Sequence, residues 1–434
     1  MTQRTLIRGG WIVRPDERAA DLPRGDLLIE NGAIAAIAPV LEADGAEVLD
    51  AAGMLVLPGF VDTHRHTWQT TLRHRGGDWS LQDYVTQALF ATGRRTRPED
   101  VYAGTLLGAL SAIDSGITTL LDWSHIQNTP AHADAAIAAL TESGLRAIFG
   151  HGPAFTELPP GVDPAGRRHP ADIRRLRRER FTSDDGLVTL AMAASGPDFS
   201  SDAATVDDFG LARELGLRIT VHVGGGEPGP ENRGIERMHA ARLLGPDITA
   251  VHAAGATDEG LRLLADHGVT VSVSPQIELG MSGLAAPTLG RMLAAGLTAS
   301  LSVDSETAAA SDMFTPMRTA FAMHRRDARL PAVSARDVLR WATLEGARAT
   351  GLDRRTGSLT PGKAADIVLL RATDVNLAPV SSPADAIVLA AHPGNVDTVF
   401  VAGRVLKRGG RLVADVERAR LLVRASHEHV LGGG

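Results

Sequence analysis

The chain reads as an α/β protein: a (β/α)8 barrel of the TIM type with a small β-sandwich domain built from both termini. Three observations predict this. Eight apolar runs of strand length alternate with helical patterns over about 300 residues. Several of those helical patterns stop at a glycine, as helix C-caps do. The two ends of the chain are instead short β-type runs broken by turn residues, unlike the middle.

At the amino end, Leu6–Val13, Asp26–Glu30, Ala33–Ala38 and Ala46–Asp50 are separated by Gly, Asn and Pro. A first barrel strand ends near Val61. Thr118–Asp122, Ala147–Gly150, Val188–Met192, Arg218–Val223, Thr249–His252, Thr270–Val273 and Thr298–Val303 complete the eight. Helical patterns between them include Pro130–Ser143, Ala204–Leu215, Thr257–His267 and Leu284–Ala295, followed by Gly144, Gly216, Gly268 and Gly296. Asp366–Leu370, Val396–Val401 and Arg404–Leu406 then return to the β pattern. The expected division is 1–57 with 355–434 as a composite sandwich domain, and 58–354 as the barrel. A doubly wound open sheet is the structural alternative, but no glycine-rich phosphate loop follows the first strand.

Composition removes whole classes of function. With 44 Lys and Arg against 51 Asp and Glu, the chain offers no electrostatic footprint for nucleic acid or an anionic membrane. The most basic stretch, Arg174–Arg180, reads as one face of a solvated helix. There are no cysteines, which excludes disulfides, thiolate zinc sites and the cytidine-deaminase zinc site with its Pro-Cys-x-x-Cys. No apolar run reaches the length of a membrane span, and Met1–Val13 lacks the apolar core of a signal peptide. A cytoplasmic location is expected. The only lysines are Lys363 and Lys407.

Chemistry in such a barrel sits where the strands end at the carboxyl face. The first strand runs into Pro58-Gly-Phe-Val-Asp-Thr-His-Arg-His66. His64 and His66, two apart in extended chain, point to one side. They are either half of a metal site or two unrelated surface histidines. The fifth strand ends in Val221-His222, the sixth in Val251-His252 and the eighth in Val303-Asp304. Four histidines and an aspartate at matching ends of four strands decide for a metal.

These residues resemble the amidohydrolase superfamily, in the branch of chlorotriazine hydrolases, S-adenosylhomocysteine deaminases and cytosine or guanine deaminases. The resemblance covers essentially the whole chain. It includes Ser302-Val-Asp-Ser305, Ser311-Asp-Met-Phe314, the run Ala342–Ala349, and Gly357-Ser-Leu-Thr-Pro-Gly-Lys-Ala-Ala-Asp366. It implies His64, His66, His222 and Asp304 as ligands of one divalent metal, Zn²⁺ or alternatively Fe²⁺. His252 would hydrogen-bond the metal-bound water, and Asp304 would accept its proton as hydroxide attacks. Binuclear relatives carry a carboxylated lysine on the fourth strand, and neither lysine lies there. Relatives are commonly dimers or larger, so a homo-oligomer is expected.

Two departures bear on mechanism. Mononuclear deaminases of this branch have His-x-x-Glu after the fifth strand, and here His222-Val-Gly-Gly225 puts glycine in that place. The relatives' histidine two residues before a proline on the seventh strand is also missing; Val273 occupies it. Glu227 and Glu278 are the two carboxylates available as relocated proton carriers, and either is otherwise a solvated loop residue. Trp68, Gln69, Arg73, Trp123 and Gln276 are expected to line the mouth for a planar or heterocyclic small molecule. His151 faces either the mouth or the core.

The sequence therefore predicts a metal-dependent amidohydrolase cleaving a non-peptide C–N bond of a cyclic amide, amidine or aminoheterocycle. The alternatives are a deaminase using a relocated glutamate, hydrolysis or decarboxylation at another bond, and a catalytically silent metal-binding barrel.

Overall fold

The structure is a computed structural model that describes residues 4–16, 20–156, 166–226, 233–285, 289–325 and 332–432. Eight parallel strands form the barrel in chain order: Phe60–Arg65, Ile117–Gln127, Arg146–Pro153, Val188–Ala194, Ile219–Val223, Ile248–His252, Thr270–Val273 and Ala299–Leu301. Each pairs with the next in parallel. The eighth strand is short, and the ring closes just beyond it. Asp304 N donates to His64 O at 2.9 Å, and His66 N donates to Asp304 O at 2.9 Å. The seam of the barrel is thus made by residues that also carry side chains into its mouth.

Helices cover the outside, among them Pro98–Asp114, Pro130–Ser143, Asp202–Glu214 and Asp258–Asp266. Their ends follow local chemistry. Ser201 and Thr257 cap two of them by accepting the backbone N–H of Ala204 and Gly260. Gly144 ends another with φ +72°, a left-handed turn that costs glycine little. The basic stretch forms the helix Asp172–Glu179, whose arginines pair with Glu214, Asp134 and Asp184.

The barrel interior has two halves. Leu121, Trp123, Ile148, Ala191 and Ala193 form an apolar cluster from the second to fourth strands. On the other side Thr63, Ser272, Ser300 and Ser302 join through hydroxyl hydrogen bonds of 2.7–3.1 Å.

The remaining strands form one nine-stranded sheet that draws on both ends of the chain. It curls on itself, so that Ile34 N reaches Lys363 O at 2.8 Å. Between its layers lies a second core that includes Ile7, Leu27, Ile29, Val56, Ile367 and Phe400. The strand Met54–Pro58 belongs to this sheet, pairing with Ile367–Arg371, and passes through Gly59 directly into the first barrel strand. A Cβ at Gly59 would lie 2.0 Å from Thr118 Oγ1, so only glycine lets the two strands approach.

The second strand outruns its expected end at Asp122 by five residues. Its alternation continues through Trp-Ser-His-Ile, which carries Trp123 inward and packs Ile126 into the outer core. The same alternation on the third strand turns His151 outward, where its Nδ1 lies 2.9 Å from His169 Nε2.

Candidate active site

Five side chains converge at the carboxyl face. His64 is fully buried in the first strand, and His66 follows that strand. His222 is the penultimate residue of the fifth strand, His252 ends the sixth, and Asp304 lies three residues past the eighth. Ligand atoms of His64, His66 and Asp304 lie within 4.8 Å of one another, as do those of His64, His222 and His252. Asp304 Oδ1 sits 3.5 Å from His64 Nε2 and 3.4 Å from His66 Nε2, and its Oδ2 is 3.7 Å from His252 Nε2.

The backbone is strained where the last two enter. His252 has φ +69° and Asp304 φ +68°, a left-handed region that non-glycine residues rarely occupy. Such conformations persist where the surrounding structure dictates them, and they concentrate at functional sites.

Burial keeps three of the imidazoles neutral. Burial, reinforced by the neighbouring histidines, holds His66 and His222 well below the usual histidine range. His125, whose ring centroid lies 4.2 Å from that of His66, is pushed down to about 3 by burial. His252 moves the other way: burial opposes its charge, but the Glu278 hydrogen bond and the Asp304 charge outweigh it.

This set is chemically suited to a divalent metal. Three imidazoles and a carboxylate are a zinc donor set. His64 supplies the structural test: both ring nitrogens are buried without a hydrogen-bond partner among the described residues, Nε2 having only the Asp304 carboxylate 3.5 Å away. A buried polar atom left unpaired is costly, and a coordinated ion would remove that cost. The tautomer of His66 also fits. Its Nδ1 lies 2.8 Å from Trp123 O, so an Nδ1–H donated there leaves Nε2 as the electron-pair donor.

Several expected substrate contacts have other work. Arg73 was expected at the mouth, but its guanidinium pairs with Glu306, its Nε donating to Oε2 at 2.6 Å. Glu306 also takes Arg65 NH1 at 3.1 Å, and Arg65 Nε donates to Asp62 at 2.8 Å, so these charges neutralise one another behind the site. Gln69 is fully buried, its amide donating to Tyr84 Oη and accepting from Ser305 Oγ, both at 2.6 Å. Gln276 Oε1 accepts from Ala310 N at 3.1 Å and braces a loop. Trp68 is buried with its indole N–H 3.4 Å from His125 Nδ1. Glu278 stands behind His252, with Oε1 3.0 Å from Nδ1. Glu227 lies outside the described residues.

Trp123 keeps a place in the site itself. Its ring centroid is 4.4 Å from that of His222, and its buried indole N–H has no acceptor among the described residues. Sequence reasoning missed the rest of the aromatic wall. Phe155 and Phe199 pack edge to face at 5.9 Å, Phe155 lies 6.0 Å from His125, and Phe199 is half exposed. Tyr84 comes from a helical excursion with no strand phase to mark it.

The model of the amidohydrolase family matches residues 55–406. The chain belongs to that family. Among the relatives of this amidohydrolase is a 5′-deoxyadenosine deaminase of Methanothermobacter thermautotrophicus, 31% identical over 406 residues, covering 91% of this chain and 92% of the relative. A 5-methylthioadenosine/S-adenosylhomocysteine deaminase of Nitratidesulfovibrio vulgaris is 31% identical over 430 residues, covering 94% and 92%. Among solved structures, a zinc-bound adenosine deaminase from Xanthomonas campestris superposes with TM-score 0.84 at 24% identity, over 98% of both chains. A zinc-complexed atrazine chlorohydrolase from Arthrobacter aurescens gives TM-score 0.85 at 22% identity, over 98% of this chain and 100% of the other. The amidohydrolase is a hydrolase of carbon–nitrogen bonds other than peptide bonds. Among its described residues no helix is long and apolar enough to cross a membrane.

Proposed function

We propose that this amidohydrolase binds one zinc ion through His64, His66, His222 and Asp304 and hydrolytically deaminates an aminoheterocycle of the adenine-nucleoside type. The buried His64 ring, neither of whose nitrogens has a hydrogen-bond partner among the described residues, is the observation that carries the metal reading. The choice of deamination over ring opening leans on relatives named as deaminases of 5′-deoxyadenosine and methylthioadenosine.

Bound zinc would supply the acidity that makes water a nucleophile at neutral pH. The residues do the remainder. Asp304 turns Oδ1 to His64 and His66 and leaves Oδ2 on the His252 side, poised to take the proton of the attacking water. His252 orients that water through Nε2. Trp123 offers an unpaired N–H to the heterocycle, and His125, Phe155 and Phe199 give a planar ring apolar faces.

A second reading, hydrolysis of a ring amide, is favoured by the glycine at 225 where deaminases of this branch carry their proton-shuttling glutamate. Ammonia separates the two. We expect zinc-loaded enzyme to release one ammonia per turnover from 5′-deoxyadenosine, 5′-methylthioadenosine or S-adenosylhomocysteine. Turnover of cyclic amides without ammonia supports the second reading instead. Stoichiometric zinc with no turnover in either panel refutes both.

A further inference from the structure

The fifth-strand loop has glycine at 225, and a buried carboxylate, Glu278, reaches His252 from another element. A Cβ at Gly225 would stand 3.7 Å from His252 Cδ2 and from Leu284 Cδ2. A methyl group there would rest in ordinary van der Waals contact with the His252 ring. Glu278 approaches that ring at its other nitrogen, from the helix Pro275–Gly280 that follows the seventh strand. Its Oε1 lies 3.0 Å from His252 Nδ1 and accepts the backbone N–H of Ser274 at 2.8 Å. Only 3% of Glu278 is exposed, and Oε2 has no hydrogen-bond partner among the described residues.

Two geometric facts make this more than helix capping. The Ser274 N–H alone would satisfy a cap, but the same oxygen also lies within hydrogen-bond distance of the imidazole. The imidazole in turn presents Nε2 to Asp304 Oδ2, across 3.7 Å. An acceptor fixed at Nδ1 decides which ring nitrogen carries the proton.

We propose that Glu278 is the positioning residue of this site: it fixes His252 with its proton on Nδ1 and turns Nε2 to the reacting water, a task performed from the seventh-strand loop in a chain whose fifth-strand loop has glycine at position 225. The inference rests on the proposed metal-dependent hydrolysis, and its test is chosen to be separable from it. Histidine ring nitrogens are observed by NMR in ¹⁵N-histidine-labelled, zinc-loaded protein, with the His252 signals assigned by their loss in His252→Gln. The wild type shows Nδ1 protonated, Glu278→Gln keeps that state because its amide oxygen still accepts, and Glu278→Ala loses it. In kinetics, Glu278→Ala lowers kcat by about 10–100-fold with KM and zinc content unchanged, and Glu278→Gln recovers part of the loss.

A wild-type His252 protonated on Nε2, or a proton that stays fixed on Nδ1 in Glu278→Ala, overturns the proposal whatever the activity. So does a Glu278→Ala enzyme with unchanged kcat. Absence of wild-type turnover counts against the proposed function alone, since the NMR arm still reads the positioning role.

Discussion

His64 shows how much one residue can decide. A buried polar group without a hydrogen bond costs about 1–3 kcal/mol, and among the described residues neither His64 nitrogen makes one. We expect His64→Ala to retain the fold but lose stoichiometric zinc, with ammonia release falling about 10³-fold or more, the equivalent of several kcal/mol of transition-state stabilisation. Metal analysis of the purified variant beside steady-state kinetics checks this; stoichiometric zinc in His64→Ala would remove His64 from the ligand set. Asp304→Asn tests the proton acceptor, with an expected loss of about 10²–10⁴-fold in kcat. The convergence of His64, His66, His222, His252 and Asp304 was legible because strand ends are where a barrel puts its chemistry. The pairing of Arg73 with Glu306 was not legible, because the two lie 233 residues apart in sequence. A sequence shows a charged side chain but not what neutralises it.

At the scale of elements, strand alternation accounts for both the successes and the misses. It places Trp123 inside the barrel and His151 outside, and the sequence left His151 open only because the end of its strand was uncertain. The outward His151 is fully buried against His169, and burial pushes it down to about 4. Its folded pKa therefore lies below the unfolded value of about 6.5. The stability it contributes is complete above pH 6.5 and is lost as pH falls towards 4, because the unfolded chain binds the proton first. Asp208, which accepts the His169 backbone N–H, is raised to about 6 by burial and acts in the opposite direction. A difference measurement separates His151 and its neighbour His169, which burial and His151 also hold well below the usual histidine range, from Asp208. Relative to His151→Gln, the wild type should lose about 3 kcal/mol between pH 7 and pH 4, read from urea midpoints at each pH. A constant offset between the two proteins across that range would show that His151 does not titrate differently on folding. Gly59 is the other element-scale constraint. Gly59→Ala should cost about 1–3 kcal/mol through overpacking against Thr118, read as a lower urea midpoint.

For the whole molecule, the sequence announced two β-rich ends but not how they grip the barrel, since part of that contact, beside its apolar packing, is made by charges distant in sequence. Arg146 opens the third barrel strand and is bound in a two-point pair by Asp366, Nε to Oδ2 at 2.6 Å and NH2 to Oδ1 at 3.1 Å. Both side chains are buried, and Asp366 Oδ1 also accepts the Ala402 N–H of the small sheet at 2.7 Å. Lys407 adds a second tie, donating to Asp114 O at 2.6 Å at the carboxyl end of the helix Pro98–Asp114, where the helix dipole favours a cation. A buried pair such as Arg146–Asp366 adds little net stability over an apolar replacement, but removing one partner strands the other charge at about 3–5 kcal/mol. Asp366→Ala should therefore lower the urea midpoint by that amount, while Arg146→Met combined with Asp366→Ala should recover much of the loss, because no charge is then left buried. Zinc content and KM should stay at wild-type values in both, since the pair sits at the opposite end of the third strand from the metal-binding face. Equal destabilisation of the single and double variants would mean that the pair works through packing and not through charge, and the small sheet would then be held mainly by its apolar contacts.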